Sequence, residues 1–146
     1  KIPTQLDDFT SPTVNTYSLE TTIAEKLDAI LDLMEFSSRM KDYYDIYYLA
    51  NKFDFDGATL TKALKKTFEN GGHAFTVEQF EQVMAFAEND AMQKKWKAFC
   101  RKIDTKTADF NTVLKIIEAF LTEPFIATVE NKEFEEKWTA LENKWK

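Results

Sequence analysis

One cysteine, one histidine, three glycines and three prolines are all that 146 residues contain of these types. With Cys100 alone, disulfides and thiolate-rich zinc sites are excluded, and a reducing compartment is suited. With His73 alone, multi-histidine metal centres are excluded, and a Cys/His couple would have to be brought together from distant parts of the chain. Scarce glycine and proline leave little turn punctuation, so long elements are expected in place of hairpins. No apolar run has the length needed to cross a bilayer and no signal peptide is visible, so no membrane partner and a cytoplasmic location are expected. Positive charge is also short: 19 Lys and Arg face 25 Asp and Glu, a net charge of −6. That balance excludes coating of nucleic acid or membrane by bulk electrostatics and leaves only a local basic patch open.

What is present is apolar and helical in period. A hydrophobic content of 44%, with 14% aromatic, is enough for one core. The opening KIPTQLDDFTSPTVNTY holds two prolines and no helical period; TVNTY reads as a strand with nothing here to pair with. From Ser18, a good N-cap, Leu19, Ile23, Leu27, Ile30 and Met34 recur at helical spacing and predict a helix to about Glu35. Ser37-Ser38 restarts the chain and a second helix follows to about Lys52. Asp56-Gly57 opens a third, closed by Asn70-Gly71-Gly72. Thr76 with Gln79 matches a capping box and opens a fourth. A fifth is expected over about Asp90 to Arg101, and a sixth from about Asp109 to Leu121, stopping before Pro124. Phe134, Trp138, Leu141 and Trp145 share one helical face and predict a last helix. The expected fold is all-α: an extended lead-in over 1–17, then a helical domain over 18–146 forming a bundle of about six to seven helices.

Charged residues need two readings each. Lys26 falls beside Leu19, Ile30 and Leu33 on the helical wheel, where its ammonium either snorkels to water or holds an anion in a cleft. In SRMKDYYDIYYLA, residues 38–50, four tyrosines are threaded with Arg39, Lys41, Asp42 and Asp45. Lys41 and Asp45 are neighbours four apart, in the order that supports a helix less well. Met40, Tyr43, Tyr44 and Tyr47 form the expected packing face, with Asp42 directed away from it. A solvated face and a site are both consistent with this pattern. The tyrosines read as core-edge residues, with base stacking as the alternative. Lys94, Lys95, Lys97, Arg101 and Lys102 make a basic helix beside Trp96, either a solvated face or an RNA contact. His73 reads as a loop residue, Cys100 as a core thiol, and Asp56 as a helix cap; Asp54 and Asp56 lack the other ligands of a calcium loop.

AEKLDA at 24–29 followed by SRMKDYYD at 38–45 resembles the third and fourth motifs of the AbiEii/AbiGii-type nucleotidyltransferase toxins of bacterial abortive-infection and toxin–antitoxin systems. Trp96-Phe99 and Phe110-Leu121 look like the helical tail of that family. The resemblance implies transfer of a nucleotide from a nucleoside triphosphate to an RNA acceptor, the 3′ end of tRNA, with a cognate antitoxin encoded nearby. It implies Lys26, Lys41, Asp42 and Asp45 as catalytic residues, with Lys26 and Arg39 binding nucleotide. The family's first and second motifs, on a nucleotidyltransferase sheet, are expected before Lys1, with TVNTY as the last strand of that sheet. Accordingly Mg2+ and nucleoside triphosphate are expected for the full-length protein, and no metal site or tightly bound cofactor for this part alone, which is expected to be inactive by itself. The alternative is a non-catalytic helical interaction module docking a partner on the aromatic second helix or on a Trp138/Trp145 stripe. A helical ribonuclease built on His73 is disfavoured, because no arginine precedes it at suitable spacing.

Overall fold

A computed structural model of the chain describes residues 18–34, 40–103 and 108–146. Six α-helices and three short strands follow in order: α1 Leu19–Leu33, α2 Met40–Lys52, β1 Phe55–Asp56, α3 Gly57–Asn70, α4 Val77–Ala85, α5 Asp90–Lys102, α6 Phe110–Val129, β2 Lys137–Thr139 and β3 Lys144–Trp145. The all-α expectation holds, with one small sheet added. The expected TVNTY strand, the Ser37-Ser38 restart and Arg39 lie outside the described residues.

Local chemistry sets where the helices begin. Ser18 Oγ accepts from the Thr21 N–H at 3.1 Å, Asp56 Oδ2 from Thr59 at 3.2 Å and Asp109 Oδ1 from Thr112 at 2.8 Å. Thr76 and Gln79 form the reciprocal capping box in full. Helix α6 is the spine. Phe110, Val113, Leu114, Ile117, Phe120, Leu121 and Phe125 are all buried along it, and α2, α3 and α4 pack against it, while α1 closes over α2 and α3.

Two expectations fail at the C-terminal end, for connected reasons. Helix α6 does not stop before Pro124 but runs through it to Val129. Pro124 has no N–H for the carbonyl of Phe120, four residues back, which would leave that acceptor unpaired. The indole Nε1 of Trp145 donates to it at 2.9 Å. A tertiary donor thus replaces the missing helical one. The predicted last helix is instead a hairpin, β2 and β3, with Trp138 opposite Trp145 and β1 pairing on the other edge of β2. The turn is closed by Glu142 and Asn143 N–H groups donating to the Thr139 carbonyl, with Asn143 at φ 54°. Trp138 is fully buried and donates to the Ala50 carbonyl at 2.8 Å, whereas Leu141, assigned to the same face by helical spacing, is 93% exposed. The hairpin also explains Gly57. Its N–H donates to the Glu136 carbonyl at 2.8 Å, and a Cβ there would stand 2.5 Å from the same oxygen.

Trp145→Phe keeps the ring but deletes the donor, leaving the Phe120 carbonyl unpaired. Urea unfolding is expected to show a loss of about 1–2 kcal/mol. The loss should be smaller when measured in a Pro124→Ala background, where residue 124 supplies the N–H itself.

Candidate active site

Helices α1 and α2 bring the two motif segments together. Lys26 Nζ lies 2.8 Å from Asp45 Oδ2 and 3.6 Å from Asp42 Oδ1. Lys41 Nζ reaches the same Asp45 oxygen at 2.7 Å, one helical turn away. Two ammonium groups therefore share one carboxylate oxygen. Burial grades the four: side-chain exposure is 3% for Asp42, 19% for Asp45, 21% for Lys26 and 71% for Lys41.

Asp42 corrects the helical-wheel expectation, which directed it away from the packing face. Helix α2 is covered by α1 on one side and α6 on another, so its buried face centres on Tyr43, Ile46 and Ala50. Asp42 precedes Ile46 by one turn and goes inside with it. Tyr44 and Tyr47 are only half-buried and Tyr48 is exposed. Tyr43 is fully buried against Phe110, ring centroids 5.2 Å apart, and its hydroxyl has no hydrogen-bond partner among the described residues. Burial, with the neighbouring Asp42 charge, pushes the ionisation of that phenol far above its ordinary range. Tyr43 is core.

The remaining candidates fall elsewhere. On α5, Lys94, Lys97, Arg101 and Lys102 are exposed and Lys95 is half-buried. Trp96 is buried and donates to the Ala108 carbonyl at 3.0 Å, so its face is not available to a base. Lys97 and Arg101 do line a cleft of about 570 Å³ between α5 and the start of α6, with Gln93, Asp109 and Asn111; no residue of the Lys26 cluster lines it. Cys100 is half-buried there, with burial pushing its thiol up. Trp138 bonds the Ala50 carbonyl of α2 and Trp145 the Phe120 carbonyl of α6, so the docking stripe expected of an interaction module is used internally.

One cluster was not anticipated. His73, in the α3–α4 connection, lies with Nδ1 2.9 Å from Asp28 Oδ2 and Nε2 3.5 Å from Asp32 Oδ1, both on α1. Asp28 and Asp32 are one turn apart, and that spacing was the available signal. The hydrogen bond to Asp28 is the largest influence and raises the His73 pKa above its ordinary value; burial opposes it, and the charges of Asp28 and Asp32 add smaller upward pushes. The contact ties the α3–α4 connection to α1.

Among the described residues no group of three or more His, Cys, Asp or Glu is arranged to hold a metal ion. Asp42 and Asp45 face a lysine ammonium and so do not offer the open oxygen set that Mg2+ requires. No described helix is long and apolar enough to cross a membrane.

Lys26, Asp42 and Asp45 thus meet across α1 and α2 of an all-α bundle. The family model of the nucleotidyl transferase AbiEii toxin, of type IV toxin–antitoxin systems, matches residues 1–140, and the chain belongs to that family. No curated protein and no solved structure matches it.

Lys26→Met withdraws the ammonium from the buried Asp42 carboxylate and is expected to cost about 1–3 kcal/mol in urea unfolding. Adding Asp42→Asn should recover part of that loss. Lys41→Ala, at an exposed pair, should cost no more than about 0.5 kcal/mol. His73 carries the opposite pH signature to a carboxylate. Its folded pKa is raised, so its contribution is complete below the unfolded value of about 6.5 and is lost as pH rises through the folded one. The difference in urea midpoint between the native protein and His73→Gln should therefore be largest below about pH 6.5 and shrink as the pH rises through the raised folded pKa.

Proposed function

We propose that the Lys26, Lys41, Asp42 and Asp45 cluster is this chain's share of a nucleotidyltransferase active site, and that the toxin transfers a nucleotide from a nucleoside triphosphate to the 3′ end of tRNA. The observation that carries the reading is the convergence of Lys26 with Asp42 and Asp45 from two helices, at 3.6 and 2.8 Å. In the reaction an acceptor hydroxyl attacks the α-phosphorus, the bond to the bridging oxygen breaks and pyrophosphate leaves. The negative charge of the triphosphate has to be held in place throughout.

Lys26 holds phosphate oxygens in this proposal, and its position is set by Asp42 and Asp45. The two acids divide their work by exposure. Asp42, 3% exposed, cannot reach a substrate and acts as a positioning residue for Lys26. Asp45, 19% exposed and already accepting from both lysines, is the acid placed to take the proton of the acceptor hydroxyl. Lys41 adds mobile positive charge, and Arg39 joins it on the phosphates. The divalent metal generally used by nucleotidyltransferases finds no donor set among the described residues. The basic helix α5 contributes phosphate contacts to the RNA through Lys94, Lys95, Lys97, Arg101 and Lys102. A cognate antitoxin encoded nearby would neutralise the activity.

A transfer assay on the protein expressed from its complete open reading frame tests this, with each radiolabelled nucleoside triphosphate, magnesium and total tRNA. Label should enter tRNA with the native protein and fall by about 10²–10³ with Lys26→Ala or Asp45→Ala. Unchanged rates in both variants would remove the cluster from the site. No label with any nucleotide, from folded protein, would remove the transferase reading.

A further inference from the structure

The exposed side of α2 continues past the charge cluster as a stripe. From Lys41 it runs through Tyr44 and Tyr48 to Lys52 in steps of three, four and four residues. At ~1.5 Å per residue it extends about 16 Å. Tyr48 is 44% exposed and stacks on Tyr44, with ring centroids 6.3 Å apart and an interplanar angle of 26°. The Lys52 ammonium lies 5.6 Å from the Tyr48 ring centroid. Tyr44 packs in turn on Phe99 of α5 at 5.9 Å, and Lys102 follows Phe99 by three residues on that side of α5. Two stacked rings thus lie between Lys41 and Lys52 along α2, with Lys102 about one turn beyond the Phe99 contact on α5.

Core packing accounts for Tyr43 but not for Tyr48, whose ring is held in order by its neighbours while much of it stays in water. The acids of α2 do not balance this stripe. Asp42 is buried, and Asp45 is already shared by Lys26 and Lys41. On a chain of net charge −6, a flat aromatic pair set among Lys41, Lys52 and Lys102 calls for a partner that is both planar and anionic. An acidic peptide supplies charge without regular π-faces. A polynucleotide supplies both, and only an unpaired strand can turn its base faces onto a tyrosine.

We infer that Tyr44, Tyr48 and Lys52, with Lys102 alongside, form a stacking platform for a single-stranded polynucleotide whose end leads to the Lys26–Lys41 cluster. Tyr48 carries a base, and Lys52 and Lys102 contact the flanking phosphates. The direction of the strand rests on the transferase reading; the platform itself does not.

Fluorescence anisotropy on the full-length protein tests it, using a labelled short single-stranded oligoribonucleotide of mixed sequence and the same strand annealed to its complement. Tyr48→Ala should raise Kd by about 5- to 100-fold, the loss of one stacked base, and Tyr48→Phe should keep the native value. Lys52→Ala should reduce the slope of log Kd against log salt by about 0.7. Unchanged affinity in Tyr48→Ala, or duplex bound as tightly as single strand, would overturn the platform. Because binding needs no turnover, the two readings fail separately. Tyr48-dependent binding without nucleotide transfer would leave the platform standing and the transferase reading refuted. Nucleotide transfer with an unchanged KM for RNA in Tyr48→Ala would do the reverse.

Discussion

A buried carboxylate needs a cation or several N–H donors close by, and Asp42 sets that demand on the whole arrangement of α1 and α2. Two described contributions help to meet it. Asp42 lies in the first turn of α2, where the helix dipole favours negative charge, and Lys26 reaches across from α1. Because the lysine comes from another helix, the pairing fixes how far α1 can slide along α2. Ile23, Leu27 and Ile30, on the same helix as Lys26, are buried at 0–1% exposure and could not keep that packing if the register moved by a turn. The ion pairs and the apolar contacts therefore demand the same alignment. The charge that organises the candidate site is part of what holds the two helices in place.

Much of this was legible because its causes are local. Ser18, Asp56, Thr76 with Gln79, and Asp109 each satisfy backbone donors within three residues, so a reader of the sequence sees the whole interaction. The meeting of Lys26 with Asp42 and Asp45 was not local, and only the paired motifs pointed to it. Where sequence reasoning failed, the deciding partner was far along the chain. The spacing of Phe134, Trp138, Leu141 and Trp145 fits a helical face, yet Trp138 and Trp145 meet as opposed residues of a hairpin that β1 extends from more than eighty residues away. Pro124 looked like a helix stop because the donor that releases it from that role, the Trp145 indole, belongs to the same unforeseen hairpin. Asp42 was misplaced because a helix covered on two sides has a wider buried face than a single stripe of tyrosines suggests.

The four described charges of the cluster, two ammonium groups against two carboxylates, sum to zero among themselves, so these four alone do not draw a triphosphate by net attraction. What it supplies is unequal freedom. Lys26 is gripped by two acids and largely shielded from water, so it keeps its place whether or not an anion is present. Lys41 is 71% exposed and holds one oxygen that Lys26 already neutralises, a contact of the kind that contributes about 0–1 kcal/mol. An arriving phosphate can take Lys41 from Asp45 at little cost, and Asp45 then retains Lys26 while gaining a free lone pair for a hydroxyl proton. In the proposed reaction a fixed cation and a releasable one serve different ends. The first defines where the phosphate sits, and departure of the second frees the base, so nucleotide binding would itself prepare Asp45 for the acceptor.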